Sequence, residues 1–262
     1  MQEMTGVRDQ WSVGLSYEDF MGRWSRRLAT EFISWLRIPR GVHWLDAGCG
    51  TGALADAVCS HADPASVVCC DPVPPFVEYA RGHSRDARQS FMIAGVDSLP
   101  HRFRRVRQRY LLARFELLAG PRRRGSRNAV RGCASVHGVR VRVMDYSDGM
   151  LLLHHFWDAA VSQDSAASAL AEGNRFPLCR PDALTALFRD GGLGGVRCEP
   201  IEIRTVFVSF DDYWRPFLLG TGPTPSYVAL LAPTVARTYR GSLKRRCNED
   251  QMERSFSPRE PG

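Results

Sequence analysis

The stretch WLDAGCGTG, residues Trp44–Gly52, decides the fold of this chain. An apolar run ends in an acid, Asp46, and glycines follow at Gly48, Gly50 and Gly52. Glycines at alternate positions let the backbone turn sharply and lie close to a ligand, and a helix after such a turn presents unpaired N–H groups. The stretch therefore predicts a buried strand, a ligand-binding loop and a helix, in that order.

A second acid at the end of a second apolar run strengthens this interpretation. The run SVVCCD ends in Asp71, nineteen residues beyond Gly52. An acid at that place can accept two hydrogen bonds from a ribose diol. A helix (PPFVEYARGHS) and a third strand (SFMIAG) follow. The alternation predicts an α/β, Rossmann-like, doubly wound and mainly parallel sheet in three layers.

Over these residues the chain resembles the class I S-adenosylmethionine-dependent methyltransferases, above all those that act on small molecules. The resemblance covers about residues 17–100 and, more weakly, 145–231. It implies S-adenosyl-L-methionine as the cofactor, held by the strand-end acids and the loop between them: Asp46, Gly48, Cys49, Gly50, Gly52, Asp71 and Pro72. A dinucleotide-binding oxidoreductase is the alternative, and the G-x-G-x-G spacing and the acid before the loop disfavour it.

Three further residues are candidates for the cofactor site. Tyr17 and Arg23 lie in YEDFMGRWS, which looks like the helix that closes over the cofactor in small-molecule methyltransferases; both also suit an ordinary helix surface. Asp97 lies in AGVDSLP, two positions later than the acid that the family places against the adenine amine. Its alternative is an acid in a surface turn.

The acceptor side of the site is predicted from a helix and an aromatic segment. His154 and His155 begin the helix beside Trp157, and either histidine could be a general base or a structural residue. Trp157, Tyr213 and Trp214 are candidates for the wall of a substrate pocket, with packing in the core or in a lid as the alternative. The partner that this predicts is a small-molecule methyl acceptor.

The segment His101–Val143 breaks the pattern. It holds thirteen arginines and a single acid, Glu116, so the rest of the chain is mildly acidic although the net charge is +7. The family pattern requires the fourth strand here. A nucleic-acid-binding insertion, an amphipathic helix and a shifted reading frame compete. We favour the shifted frame, because short fragments typical of the family can be read when the segment is translated one base later. It predicts a helix or a gap where the fourth strand belongs.

These interpretations divide the chain. We expect an N-terminal helical cap over 1–40, the methyltransferase domain over 41–210 with 101–143 anomalous, an aromatic lid over 211–243 and a disordered tail over 244–262. Within the domain, VRCEPIEIRTVFVSF alternates like one or two strands. A nucleic-acid methyltransferase that uses the arginines and an inactive remnant stay open as alternatives.

Composition limits the remaining classes. An apolar run long enough to span a bilayer is absent from the sequence, and the N-terminus lacks the pattern of a signal peptide, so we expect a cytoplasmic protein without a membrane partner. The eight cysteines form no C-x-x-C pair and no ligand spacing with histidines. We therefore expect reduced thiols and no metal.

Overall fold

The computed structural model describes residues 17–95, 98, 109–114, 138–219 and 223–246, and of 109–114 the backbone alone. Within them, parallel strands form one sheet in the order β3-β2-β1-β4-β5. The strands are β1 His43–Ala47, β2 Ser66–Asp71, β3 Gln89–Ile93, β4 Arg109–Arg114 and β5 Gly138–Arg142. The predicted α/β, Rossmann-like parallel sheet is confirmed.

Helices follow the strands and continue beyond them. Before β1, a π-helical turn Glu18–Gly22 leads directly into the first α-helix. The α-helices are α1 Arg23–Leu36, α2 Ala53–His61, α3 Pro74–His83, α4 Leu151–Gln163, α5 Glu172–Arg175, α6 Pro181–Asp190, α7 Phe210–Trp214, α8 Pro223–Leu230 and α9 Pro233–Arg246. In the described part of the chain, none of them combines the length and the hydropathy needed to cross a membrane.

The sheet buries both of its faces because alternate strand residues point to opposite sides. On one face, Trp44 and Val67 pack with Phe32 of α1 and Val58 of α2. On the other face, Leu45 packs in a separate cluster with residues of β2 and β5. Apolar runs without polar interruption are what a parallel strand covered on both faces requires. The carboxyl ends of β1 and β2 consequently bring Asp46 and Asp71 to one edge of the sheet.

The expected interruption of the fourth strand is corrected by the backbone of β4. Arg109–Arg114 pairs in parallel with β1 on one side and with β5 on the other, with Leu111 opposite Leu45. Its sequence, RYLLAR, has four consecutive apolar residues between arginines at the two ends, so the run can serve as a central strand. Residues 101–108 and 115–137 of the arginine-rich segment lie outside the described residues.

The C-terminal aromatic segment shares its core with α4. Phe156 and Trp157 of α4 pack with Tyr213, Phe217 and Tyr239 in one buried cluster. The last helix, α9, continues to Arg246, and the predicted division into domains stays a prediction. Residues 247–262 lie outside the described residues.

The segment 196–208 differs from its prediction as one or two strands. Side chains from Ile201 to Val208 alternate between half-buried and exposed, as in a strand. Its backbone nevertheless joins no strand pairing among the described residues. The alternation in the sequence indicates that one face of this extended segment is covered by other residues. It does not show which strand, if any, the backbone pairs with.

Candidate functional site

The loop between β1 and α2 has the geometry that its glycines predict. Gly48, Gly50 and Gly52 have φ values of 81°, 53° and 91°, a region that side-chain-bearing residues rarely adopt. The N–H groups of Gly48 and Cys49 both donate to the carbonyl of Cys70, at 2.7 and 3.0 Å. The loop is thereby fastened to the carboxyl end of β2.

Asp71 fastens the same loop with its side chain. Its Oδ2 accepts a hydrogen bond from the N–H of Gly50 at 3.0 Å, and its Oδ1 accepts one from the N–H of Val73 at 2.9 Å. The residue is 2% exposed. Asp71 therefore orders the loop. Its neighbour Pro72 lies exposed at the surface.

Asp46 places a second carboxylate close by and changes the chemistry of the thiols around it. Asp46 is 1% exposed and pairs in register with Cys69. Burial, and then the charge of Asp46, raises the pKa of Cys49 well above its usual range. The same two causes raise the pKa of Cys70 to about 12. Both thiols stay protonated at neutral pH, so neither is a nucleophile there.

The N-terminal helix covers this region from outside the sheet. Tyr17 is buried, its ring meets Phe76 in the first turn of α3 edge-on at 5.8 Å, and its hydroxyl lies 3.1 Å from Oγ of Ser25. Phe76 is five residues beyond Asp71. Tyr17 therefore packs against the start of α3, and its role at the cofactor mouth stays a prediction.

Arg26 ties the same helix to α2, which follows the glycine loop. Its guanidinium donates to Glu18 and, at 3.0 Å, to Oδ2 of Asp56. Burial lowers the pKa of Arg26, but the charges and hydrogen bonds of Glu18 and Asp56 outweigh that effect and raise it. Asp56 also accepts from the Gln89 amide at 3.0 Å. Sequence reasoning missed this network, because no local signal links residues 30 positions apart.

Arg23 pairs with an acid of the C-terminal aromatic segment. Its Nη1 lies 3.0 and 3.2 Å from the two carboxylate oxygens of Asp212, in the C-terminal aromatic segment. Its guanidinium carbon stands 4.4 Å from the ring centre of Trp24 and 4.8 Å from that of Phe207. Arg23 therefore joins the two ends of the chain, and a role at the cofactor mouth stays a prediction.

The predicted acceptor residues divide into two groups. His154 is half-buried at the start of α4, and its Nε2 lies 3.1 Å from the carbonyl oxygen of Tyr146; His155 is half-buried beside it. The aromatic candidates are core residues, and two of them have satisfied polar groups. Trp157 donates its indole N–H to the buried Glu172, and the fully buried Tyr213 donates its hydroxyl to the carbonyl of Leu152 at 3.0 Å.

Trp214 lies in the same cluster and is 5% exposed. The placement of the three aromatic residues favours packing in the core over a pocket wall. Glu172 was not foreseen as their partner; an acid in a short stretch without periodicity gives no signal of burial. Asp97 lies outside the described residues.

A cavity of about 1080 Å³ lies elsewhere, along β5. One stripe of α1, including Trp24, Phe32 and Trp35, forms one wall, and the segment around Ile201 forms another. Neither the glycine loop nor Asp71 lines it. The cavity is thus distinct from the site at the carboxyl ends of β1 and β2.

Comparison with known families agrees with this geometry. The family described as "Methyltransferase domain" matches residues 45–138, from the third residue of β1 to the first residue of β5. No curated protein sequence matches the chain at the significance required. The family match therefore spans the glycine loop, Asp71 and the arginine-rich segment as far as residue 138.

Solved structures share the fold at low identity. A methyltransferase in complex with the Trm112 methyltransferase activator of Haloferax volcanii is 18% identical, with a TM-score of 0.50 over 71% of this chain and 77% of that chain. The YcgJ protein of Bacillus subtilis is 15% identical, with a TM-score of 0.50 over 82% of this chain and 87% of that one. Phosphoethanolamine N-methyltransferase 2 of Haemonchus contortus is 13% identical, with a TM-score of 0.50 over 92% of this chain and 54% of that one.

Three findings agree with one another: the sheet order, the glycine loop between two strand-end acids, and the family match. Residues 45–138 thus match the methyltransferase-domain family, and the chain shares its fold with methyltransferases of solved structure.

Proposed function

We propose that this chain binds S-adenosyl-L-methionine between β1 and β2 and transfers its methyl group to a small-molecule acceptor. One observation carries the proposal. Two buried carboxylates, Asp46 and Asp71, stand at the ends of adjacent parallel strands, on either side of a loop whose glycines all have positive φ.

The chemistry of these residues suits the cofactor. Asp46 offers a negative charge to a cationic amine, and Asp71 offers acceptor oxygens to a ribose diol. A side chain at Gly52 would bring its Cβ to 3.4 Å from the Cβ of Ala80, so a glycine there also keeps α2 close to α3. When bound, the cofactor supplies a methyl group on a positively charged sulfur.

His154 is the favoured candidate for a proton acceptor. Its contact with the Tyr146 carbonyl implies that Nε2 carries the hydrogen and donates it. Nδ1 of the neutral ring then holds a lone pair and can take a proton from an acceptor hydroxyl or amine. His155 stays a second candidate, since both residues lie in the first turns of α4.

The covering helix supports a small acceptor. Tyr17 and the aromatic residues after Phe207 pack over the carboxyl edge of the sheet, and α1 is fastened on both of its sides. A covered edge admits a small molecule more readily than a nucleic acid. The positioning of that molecule beside the methyl group supplies most of what the transfer requires.

Calorimetry on two glycine variants tests the cofactor site. Gly52→Val and Gly192→Val place a side chain at nearly equal φ, 91° and 87°, but Gly192 has no atom within 4 Å of its Cβ and lies after α6. Backbone strain of about 1–3 kcal/mol is common to both variants. We expect S-adenosylmethionine to bind the wild-type chain and Gly192→Val, and to bind Gly52→Val at least tenfold more weakly, about 1.4 kcal/mol.

Titration with NADH accompanies the calorimetry and should give no heat of binding. A wild-type chain that binds NADH and ignores S-adenosylmethionine would show a dinucleotide-binding protein. Equal affinity of the two glycine variants for S-adenosylmethionine would place its site away from the loop.

A further inference from the structure

Three arginines of α1 bond to residues that are distant in the sequence. Arg26 reaches Asp56 beside the glycine loop, Arg23 reaches Asp212, and Arg27 donates to the carbonyl of Arg204 at 2.9 Å. The last two partners both lie in the C-terminal third of the sequence. The helix that covers the cofactor loop is thus fastened to a segment far from it in the sequence.

Hydrogen bonds within its own segment hold Asp212 in place, in addition to its pair with Arg23. Its N–H donates to Oγ of Ser209 at 3.1 Å, and its Oδ2 accepts from the N–H of Val208 at 3.2 Å, so the side chain and the backbone at the start of α7 hold each other. The next residue, Tyr213, is fully buried and bonded to α4. The carboxylate therefore stands at a fixed point of the core.

Arg23 is likewise restricted, between the rings of Trp24 and Phe207. Stacking on two rings holds the planar guanidinium and reduces the entropy that it would lose on pairing. The pair is half-open to solvent, with side-chain exposures of 38% for Arg23 and 18% for Asp212. Such a pair gains moderate energy and responds to salt.

We propose that Asp212 is a positioning residue for cofactor binding: through Arg23 it holds α1, and with it Tyr17, closed against Phe76 at the cofactor loop. The inference rests on the proposed cofactor site. Tyr17 reaches Phe76 from the turn directly before Arg23, and that turn also contacts the 3₁₀ helix Arg215–Leu218. Release of Arg23 frees the end of the helix that carries Tyr17, while Arg26 still holds it to Asp56.

The test compares two neighbouring acids. Asp212→Asn removes the charge that holds Arg23, and Asp211→Asn removes the charge that holds Arg240, an ion pair within the C-terminal segment. With S-adenosylhomocysteine as the probe, we expect Asp212→Asn to raise Kd and the dissociation rate about threefold to tenfold and Asp211→Asn to change neither. Arg23→Gln should match Asp212→Asn, and the double variant should be no weaker than either single variant.

Salt and a core variant separate positioning from folding. In about 1 M NaCl the difference between the wild type and Asp212→Asn should shrink, because salt screens the exposed pair. Tyr239→Phe removes a buried hydroxyl that donates to the carbonyl of Phe156 in the same cluster but leaves the pair, so it should lower the unfolding temperature without the same change in dissociation rate. If Tyr239→Phe reproduces the loss, or if Asp212→Asn binds as the wild type does, this inference is overturned. If the wild type itself does not bind S-adenosylhomocysteine, it is the proposed function that fails.

Discussion

Replacement of Asp71 by alanine tests the loop and the cofactor site together. The carboxylate accepts hydrogen bonds from the N–H groups of Gly50 and Val73 and is 2% exposed. Each buried N–H left without an acceptor costs about 1–3 kcal/mol. Asp71→Ala should therefore lower the free energy of unfolding by about 2–6 kcal/mol, before any cofactor is present. Asp71→Asn keeps one acceptor oxygen and should lose about half as much.

Urea unfolding followed by tryptophan fluorescence measures this loss, and Asp158→Ala, an exposed acid on α4, is the control. The control should change the free energy of unfolding by at most about 0.5 kcal/mol. Variants that stay folded can then be titrated with S-adenosylmethionine, where loss of the ribose contact should weaken binding by about 1–3 kcal/mol. If Asp71→Ala unfolds at the same urea concentration as the control, the carboxylate does not hold the loop and the reasoning is refuted.

Other predictions follow from buried groups and from the gene. Burial raises the pKa of Cys70 to about 12 in the folded chain, so between about pH 9 and pH 12 only the unfolded thiol loses its proton. The free energy of unfolding should therefore fall by about 1.4 kcal/mol per pH unit as pH rises over this range. In urea titrations, the free energy of unfolding of Cys70→Ala should fall less steeply with pH. Iodoacetamide at pH 8 should label Cys198, exposed, before Cys70; mass spectrometry that finds the reverse order would contradict the assigned burial. Trp157→Phe should cost about 1.5–3 kcal/mol of stability, since it removes a donor to buried Glu172, and a thermal shift near zero would contradict this. The shifted frame can still be tested on the gene itself: resequencing across codons 100–145 should show it, and an unchanged sequence would end that interpretation.

The first half of the fold could be predicted because its signals are local. The run before Asp46, the glycines and the second acid each specify a conformation within a few residues, and together they specify parallel order. The fourth strand was misjudged because the arginines that flank residues 110–113 outweighed the apolar run between them. The fourth strand lies beside β1 because the backbone of β1 pairs on that side too. That pairing depends on the whole sheet and cannot be read from residues 110–113 alone.

The site was predictable to the same extent. Asp46, the loop and Asp71 meet as their spacing predicts, because all belong to one strand–helix–strand unit. The partner of Arg23 was not predictable, since 189 residues separate it from Asp212. The sequence could not assign Tyr213 and Trp214 either to a pocket wall or to the core, because aromatic runs occur in both. The hydrogen bond of the buried Tyr213 hydroxyl indicates the core.

The attachment of α1 to the last third of the chain also has a consequence for synthesis. The helix leaves the ribosome before Asp212, which follows Arg23 by 189 residues. At about 5–20 residues per second this is a delay of roughly 10–40 s. Throughout that interval the apolar side of α1, including Trp24 and Phe32, lacks the C-terminal part of its final surroundings. The nascent chain is therefore a candidate client for chaperones that bind exposed aromatic helices, and premature termination before residue 212 would leave α1 without this anchor.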